Sequence, residues 1–122
     1  MSAAPDILLC GIDLFFGARI ETTAGALGLT VSRLPERPGG EPLLDAALAI
    51  VDLDGKGDPL GWVRALRAHQ QDLPIVAYVR HDASERIREG REAGASRILS
   101  RGAFSEKLPE LLREARRDTM EG

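Results

Sequence analysis

The sequence has very little cysteine and no long hydrophobic run, and both absences narrow what the protein can be. Cys10 is the only cysteine among 122 residues, so no internal disulfide can form, and we expect a reducing compartment. Cys10 lies at the end of the apolar run 7–10, which predicts a buried, inert thiol. No apolar stretch approaches the roughly 20 residues that cross a bilayer. Residues 1–6 lack the basic start and apolar core of a secretory signal, so we expect a cytoplasmic protein without membrane association.

A strong excess of charge of one sign is missing as well. The formal net charge is -3, with 29% charged and 43% hydrophobic residues, an ordinary balance for a soluble globular protein. This balance gives no electrostatic reason to expect a nucleic acid as a partner. Walker-type phosphate loops, dinucleotide fingerprints and Cys or His clusters at metal-ligand spacing are also absent from the sequence. We expect a single domain, residues 1–122, with its core between residues 6 and 116.

Short apolar runs alternate with amphipathic segments along the chain, which is the pattern of successive βα units around a parallel sheet. Strands are predicted for the apolar runs 7–12, 29–34, 48–52, 75–79 and 97–100. Apolar residues at helical spacing predict helices over 15–27, around Leu60 to Leu66, and over 84–93. A last helix is expected to have Ser105 as its cap and Pro109 in its first turn.

The segment between the second and third strands favours a loop. Residues 35–42 contain three prolines and two glycines, and only residues 41–46 could form a short helical turn. The second helix of the pattern is therefore expected to be short or absent. Right-handed crossovers at this chain length favour a flavodoxin-like α/β sandwich of three layers, with a parallel sheet in the order 2-1-3-4-5. Its functional crevice lies beyond the carboxyl ends of the strands, which brings Asp13, Asp52 and the residues after 79 and 100 to one rim.

Three segments carry a resemblance to a known family. Residues 48–52 (Leu-Ala-Ile-Val-Asp) end in a carboxylate, residues 73–79 form a second buried strand, and residues 92–104 combine Glu-Ala-Gly-Ala with Ile-Leu-Ser-Arg and a phenylalanine. At these separations the three segments resemble the receiver domain of bacterial two-component response regulators, over residues 6–116. The resemblance implies a domain that accepts a phosphoryl group on the aspartate at the end of its third strand.

The resemblance assigns a role to each position on the rim. Phosphorylation of an aspartate needs a carboxylate nucleophile, a divalent cation, and donors to the phosphoryl oxygens. Asp52 matches the acceptor, and Asp54 would offer Mg²⁺ a backbone carbonyl. The end of the first strand reads Gly11-Ile12-Asp13 where the family has two acidic residues. Asp13 either replaces the second acidic residue or lies just beyond both, and Mg²⁺ is expected only if Asp13, Asp52 and Asp54 can hold it.

Other positions of the family's site are altered too. Val79 stands where the family has a hydroxyl, and Arg101 stands where it has a lysine. Arginine keeps the charge but holds its donors in a larger, rigid fork. Gly102 replaces the following proline, and Ile98 replaces the aromatic switch residue of the fifth strand. The sequence therefore predicts a degenerate receiver, or pseudo-receiver, in which phosphate-dependent switching is lost.

The expected function is non-enzymatic signalling through protein binding. In this interpretation the partner is a histidine kinase, a downstream effector or a second copy. It would bind the family's output face, which corresponds to helix 84–93, strand 97–100 and the last helix. One alternative is a functional single-domain receiver that is phosphorylated on Asp52 with Mg²⁺. A more remote one is a haloacid-dehalogenase-like phosphatase, because Asp52-Leu53-Asp54-Gly55 resembles that family's opening motif, although Lys56 stands where threonine is usual.

The acidic residues of the rim also have simpler structural explanations. Asp52 could accept hydrogen bonds from amides of the following turn, and Asp13 could cap the first helix. Asp54 precedes a glycine, which is typical of a turn. Trp62 and Phe15 lie off the main apolar stripes of their helices, and burial is the expectation for both.

Overall fold

The computed structural model describes residues 4–40, 42–80 and 83–121, which form one five-stranded sheet with helices on both faces. All strand pairs are parallel, and the strand order β2-β1-β3-β4-β5 confirms the predicted flavodoxin-like arrangement. The elements are β1 (Ile7–Cys10), α1 (Leu14–Ala26), β2 (Val31–Arg33), β3 (Leu48–Asp52), α2 (Pro59–His69), β4 (Ile75–Val79), α3 (Ser84–Ala93), β5 (Arg97–Ser100) and α4 (Arg101–Glu121).

The three inner strands β1, β3 and β4 are buried along their whole length, which explains why their sequences are continuous apolar runs without alternation. Helices α1 and α4 cover one face of the sheet, where Phe16 and Phe104 are buried. Helices α2 and α3 cover the other face, where Trp62 is buried as expected. Each such side chain contributes about 1.5–3 kcal/mol on burial. Burial also raises the pKa of Cys10 to about 12, consistent with an inert thiol.

No helix forms between β2 and β3 in the described residues 34–40 and 42–47, so the second helix of the pattern is absent. The helical turn considered for residues 41–46 does not form over residues 42–46, and Glu41 lies outside the described residues. The loop is instead fastened to α2: the indole Nε1 of Trp62 donates to the Pro35 carbonyl at 2.7 Å. The Asp58 amide also donates to the Glu36 carbonyl at 2.8 Å. These bonds hold the proline-rich segment beside the carboxyl ends of the strands.

Helix α4 begins at Arg101, directly after β5, so the expectation that Ser105 caps it was wrong. The Ser100 hydroxyl accepts a hydrogen bond from the Ala103 amide at 3.1 Å, the pattern of a capping serine. The helix therefore starts five residues earlier than a cap at Ser105 would allow. Gly102 does not prevent this, since a single helical glycine is unfavourable by only about 1 kcal/mol.

Because of this early start, Pro109 lies inside α4 and not in its first turn. A proline there has no N–H to give to the carbonyl four residues earlier, which is that of Ser105. The guanidinium of Arg19 on α1 donates to the Ser105 carbonyl instead, with 3.0 Å between Nη2 and the oxygen. A second bond joins Arg19 to the Ser105 hydroxyl. The interior proline is thus accommodated by a side chain of the neighbouring helix.

The first turn of α1 differs from the expectation for Phe15. Its side chain is 89% exposed and was expected to be buried, and the neighbouring Leu14 is 81% exposed. Phe16 supplies the buried aromatic ring of this turn. Among the described residues no helix is long and apolar enough to cross a membrane.

Candidate functional site

Among the described residues, one carboxylate at the carboxyl ends of the strands is buried, that of Asp52. Asp52 is the last residue of β3 and is only 8% exposed. Its Oδ1 accepts a hydrogen bond from the Asp54 amide at 2.8 Å, so the expected bond to the following turn is present. Burial raises the pKa of Asp52, an effect that the Asp54 N–H partly opposes. No described residue donates a hydrogen bond to the other oxygen, Oδ2.

The end of β1 lies beside Asp52 but brings no carboxylate to it. The strand register pairs Cys10 with Val51, so Gly11 is the residue next to Asp52, and Ile12 follows. Gly11 has a φ of +73°, and a Cβ atom on Gly55 would lie 2.4 Å from the Gly11 carbonyl oxygen. The loops after β1 and β3 therefore meet through two glycine backbones, a contact that side chains would prevent.

Asp13 follows Gly11 and Ile12, and both of its carboxylate oxygens accept hydrogen bonds from other groups. Its Oδ1 accepts from the Phe16 amide at 2.7 Å, which confirms that it caps α1. Its Oδ2 accepts from Nη2 of Arg101 at 3.0 Å. The Phe16 N–H and then Arg101 lower the pKa of the Asp13 carboxyl. The Arg101 guanidinium also lies over the Phe16 ring, with Cζ 5.1 Å from its centroid, so Asp13 and Phe16 together hold it in place.

The loops after β3 and β4 are joined by one hydrogen bond. Oδ2 of Asp54 accepts from the Arg80 amide at 3.1 Å, which agrees with a turn role for Asp54. Val79 precedes Arg80 as the last residue of β4, and its side chain is buried. A valine offers no hydroxyl, so position 79 carries no side-chain donor toward Asp52.

Among the described residues, the carboxylates on this rim do not form a group that could hold a divalent cation. Mg²⁺ requires several oxygen ligands in near-octahedral geometry. Both oxygens of Asp13 hold protein donors, and Gly11 and Ile12 have no oxygen-bearing side chains. In the part of the chain that the structure describes, no group of three or more His, Cys, Asp and Glu residues could hold a metal ion.

An aromatic cluster beneath Arg101 was not anticipated from the sequence. Tyr78 on β4 stacks on Phe104 with ring centroids 4.7 Å apart, and Phe16 lies 5.3 Å from Tyr78. Tyr78 is 1% exposed, and its hydroxyl has no hydrogen-bond partner among the described residues. The nearby Asp52 charge adds to burial in raising the Tyr78 pKa. The period-two pattern of a buried strand does not tell which face carries which ring, so the sequence offered no signal for this cluster.

Ile98 occupies the position that corresponds to the aromatic switch residue of receiver domains. Ile98 packs on the α2 and α3 side of the sheet, against Gly90 of α3. A Cβ atom on Gly90 would lie 2.8 Å from a methyl of Leu53 and 2.9 Å from one of Ile98. Close packing at this glycine holds α3 against the residue that directly follows Asp52.

A cleft of about 470 Å³ opens beside Asp52, between the loops after β1, β2 and β3. Its apolar lining comes from Ile12, Leu14 and Leu34, together with the glycine backbones described above. Lys56 lies at the same cleft with an exposed side chain that makes no hydrogen bond or ion pair with a described residue. The candidate site thus combines one buried carboxylate with a partly apolar wall.

Similar folds occur among solved structures. A CheY-like receiver domain from Methanospirillum hungatei JF-1 matches with a TM-score of 0.70 at 15% identity, covering 95% of this chain and 99% of that chain. The chemotaxis protein CheY4 of Vibrio cholerae matches with a TM-score of 0.71 at 20% identity, covering 93% and 99%. A Burkholderia pseudomallei response regulator, solved with a phosphorylated aspartic acid and a calcium ion, matches with a TM-score of 0.68 at 17% identity, covering 94% and 70%.

These likenesses establish that the chain has the fold of a response-regulator receiver domain. No protein-family model matches the sequence, and a search of curated proteins finds no match. At identities of 15–20%, these likenesses concern the fold alone.

Proposed function

We propose that this protein is a pseudo-receiver: a non-enzymatic, cytoplasmic signalling domain that binds another protein and does not switch on phosphorylation. The observation that carries the proposal is the bond between Arg101 and Asp13, 3.0 Å long, at the rim beside Asp52. A phosphoryl group on Asp52 would need a free cation to hold its oxygens. Arg101 already has an anionic partner in Asp13 and an aromatic one in Phe16, so a phosphoryl group would compete with both for it.

The remaining positions support the same proposal. Val79 has no hydroxyl, so it cannot donate a hydrogen bond to a phosphoryl oxygen on Asp52. Ile98 is an aliphatic residue packed under Gly90 of α3, where an aromatic ring that changes position would meet the helix backbone. Both couplings from Asp52 to the output face are therefore absent in this proposal, and the domain has one resting conformation.

The proposed interaction surface consists of α3, β5 and α4, the output face that receivers use. Strand β5 is at the edge of the sheet, and Arg97 is exposed on it. On α3, Arg88 is exposed and pairs with Glu85 and with Glu92, at 3.7 Å from the latter. A surface of paired charges beside an exposed strand edge suits a polar, reversible contact with a histidine kinase, a downstream effector or a second copy.

Nuclear magnetic resonance with Mg²⁺ and beryllofluoride tests the loss of switching. We expect the backbone amides of α3, β5 and α4, and the fluorescence of Trp62, to stay unchanged at millimolar concentrations of both. Trp62 is a suitable reporter because its indole is bonded to the loop beside the rim. A saturable change that Asp52→Ala abolishes would overturn the proposal and support the functional single-domain receiver. Steady hydrolysis of a phosphate ester that the same variant abolishes would support the phosphatase alternative.

The interaction surface has its own test. We expect self-association in sedimentation, or binding to purified histidine-kinase dimerisation domains, to weaken in Arg97→Glu. Arg64→Glu is the matched control, because Arg64 is equally an exposed arginine but lies on α2, outside the proposed surface. Equal effects of the two reversals would place the contact elsewhere.

A further inference from the structure

The cleft beside Asp52 differs from a phosphate site in the character of its walls. Where the receiver pattern has two acidic residues, Gly11 leaves space and Ile12 supplies an apolar side chain. The absent second helix adds Leu34 and the proline-rich loop to one side, and Leu14, 81% exposed, stands at the mouth. A volume of about 470 Å³ is within the range of sites that hold small organic molecules.

The position of the cleft in the sheet is also favourable. It lies over the carboxyl ends of β1 and β3, whose following helices α1 and α2 cover opposite faces of the sheet. Ligands of flavodoxin-like sheets bind where neighbouring strands diverge in this way. The fold therefore forms a crevice at this point without help from any side chain.

One polar atom in the cleft lacks a partner. Asp52 is more than nine-tenths buried, and its Oδ1 is bonded to the Asp54 amide, whereas Oδ2 receives no hydrogen bond from a described residue. This oxygen is not one of the fully buried polar atoms that lack a partner, so it is open to the cleft. A positively charged group that donates a hydrogen bond at this point would replace water there and form a charge-assisted bond.

The charges around the cleft favour a cation. Arg33 is paired with Glu21 at 2.5 Å, and Asp13 is paired with Arg101. The charges left on the lining without an ion-pair partner are three carboxylates and one ammonium, namely those of Glu36, Asp52, Asp54 and Lys56. The unpaired charge of the lining is therefore negative, and a positively charged donor gains more there than a neutral one.

We infer that this cleft binds a small organic amine, with its ammonium group on Asp52 Oδ2 and its apolar body against Ile12, Leu14 and Leu34. The inference concerns a ligand and goes beyond the proposed protein-binding function. Its test uses neither Mg²⁺ nor a phosphate donor, so either idea can fail while the other stands. A ligand in this cleft would touch the loops after β1, β2 and β3 together.

Three probes with the same ring and different head groups test the inference: phenethylamine, phenethyl alcohol and phenylacetate. Titrations are followed by the amide resonances of Gly11, Ile12 and Gly55. We expect phenethylamine to bind saturably, with a Kd on the order of 1 mM, a reasonable affinity for so small a molecule. The alcohol should bind about tenfold more weakly because it lacks the charge-assisted bond, and the anion should not bind measurably.

Three variants locate the binding site. Asp52→Asn should reduce the amine affinity about tenfold, to near that of the alcohol. Leu14→Ser should weaken the amine and the alcohol alike, by about fivefold, and its exposed position makes misfolding no concern. Leu44→Ser is the matched control, since Leu44 is also an exposed leucine, 53% accessible, but does not line the cleft. The Leu44→Ser variant should bind the probes with the same affinities as the parent.

Several outcomes would overturn the inference. Equal affinities for the amine and the alcohol, or an unchanged amine affinity in Asp52→Asn, would show that Asp52 does not select the ligand. Shifts confined to residues outside the cleft would place binding elsewhere. No saturable response at probe concentrations on the order of 10 mM would mean that the cleft holds no such ligand.

Discussion

Replacement of Tyr78 by phenylalanine is expected to make the protein more stable, not less. The ring of Tyr78 stacks on Phe104 and contacts Phe16, and the phenylalanine ring can keep both contacts. The hydroxyl is the part that changes, and no described residue hydrogen-bonds to it. Burying an unpaired hydroxyl is unfavourable by about 1–3 kcal/mol, and its removal leaves a space of only one atom. We therefore expect the free energy of unfolding to rise by about 1–2 kcal/mol.

Urea unfolding followed by Trp62 fluorescence measures this difference. Trp62 is buried on the opposite face of the sheet, so it reports global unfolding and is not itself altered by the substitution. For a domain of this size, 1–2 kcal/mol corresponds to a rise in Tm of roughly 3–10 °C. A variant less stable than the parent by about 1 kcal/mol or more would show that the Tyr78 hydroxyl has a favourable partner in the folded protein.

Alkaline pH offers a second measurement on the same variant. Burial, together with the Asp52 charge, raises the pKa of Tyr78 in the folded protein. Above about pH 10 the unfolded chain releases this proton while the folded protein keeps it, so folding loses stability as the pH rises. The advantage of Tyr78→Phe should therefore grow by about 1.4 kcal/mol per pH unit in that range. An advantage that does not change with pH would contradict the assigned burial.

Four further substitutions test the backbone contacts, the start of the last helix and the buried carboxylate. Gly55→Ala should destabilise the protein by about 2–4 kcal/mol in urea unfolding, since its Cβ would lie 2.4 Å from the Gly11 carbonyl oxygen. Gly102→Ala is the control, because a Cβ at that position would meet free space, and it should be neutral or stabilising. Ser100→Ala should destabilise by about 1 kcal/mol in the same assay, because it removes the cap of α4. Asp52→Asn should be more stable than the parent at pH 7 but not at pH 3. Burial raises the pKa of Asp52 in the folded protein, so the stability that its protonated form provides is lost as the pH rises through that pKa.

Different results for these four substitutions would contradict the contacts described above. Equal effects of the two glycine substitutions would mean that the loops after β1 and β3 do not meet. A larger loss from Ser105→Ala than from Ser100→Ala would restore the helix start expected from the sequence. An Asp52→Asn variant whose advantage is the same at both pH values would show that the carboxylate is not held in a desolvated site.

The sheet could be predicted from the sequence because its inner strands are buried on both faces. Residues 48–51 and 75–77 are continuous apolar runs without alternation, a pattern typical of central parallel strands. The start of α4 could not be predicted in this way. Ser100 and Ser105 are both capable caps, and the choice depends on Arg19, which satisfies the carbonyl that Pro109 leaves without a donor. That contact joins residues 86 apart in the sequence, so no local pattern records it.

The residues that meet at the rim could be predicted from the sequence, but the bonds between them could not. Parallel topology alone brings Asp13, Asp52 and Arg101 to the same edge of the sheet. The ion pair between Asp13 and Arg101 depends on helix α1 starting at Leu14, which points the capping carboxylate toward β5. The cleft depends likewise on the close contact of two glycine backbones, a tertiary feature that residue types by themselves do not specify.

Intact-mass spectrometry after incubation with acetyl phosphate and Mg²⁺ tests whether Asp52 accepts a phosphoryl group. We expect the mass to stay that of the unmodified chain, and Asp52→Ala to behave identically. Gain of one phosphoryl group by the parent, absent from Asp52→Ala, would show that Asp52 is a phosphorylation site and that the protein is not a pseudo-receiver.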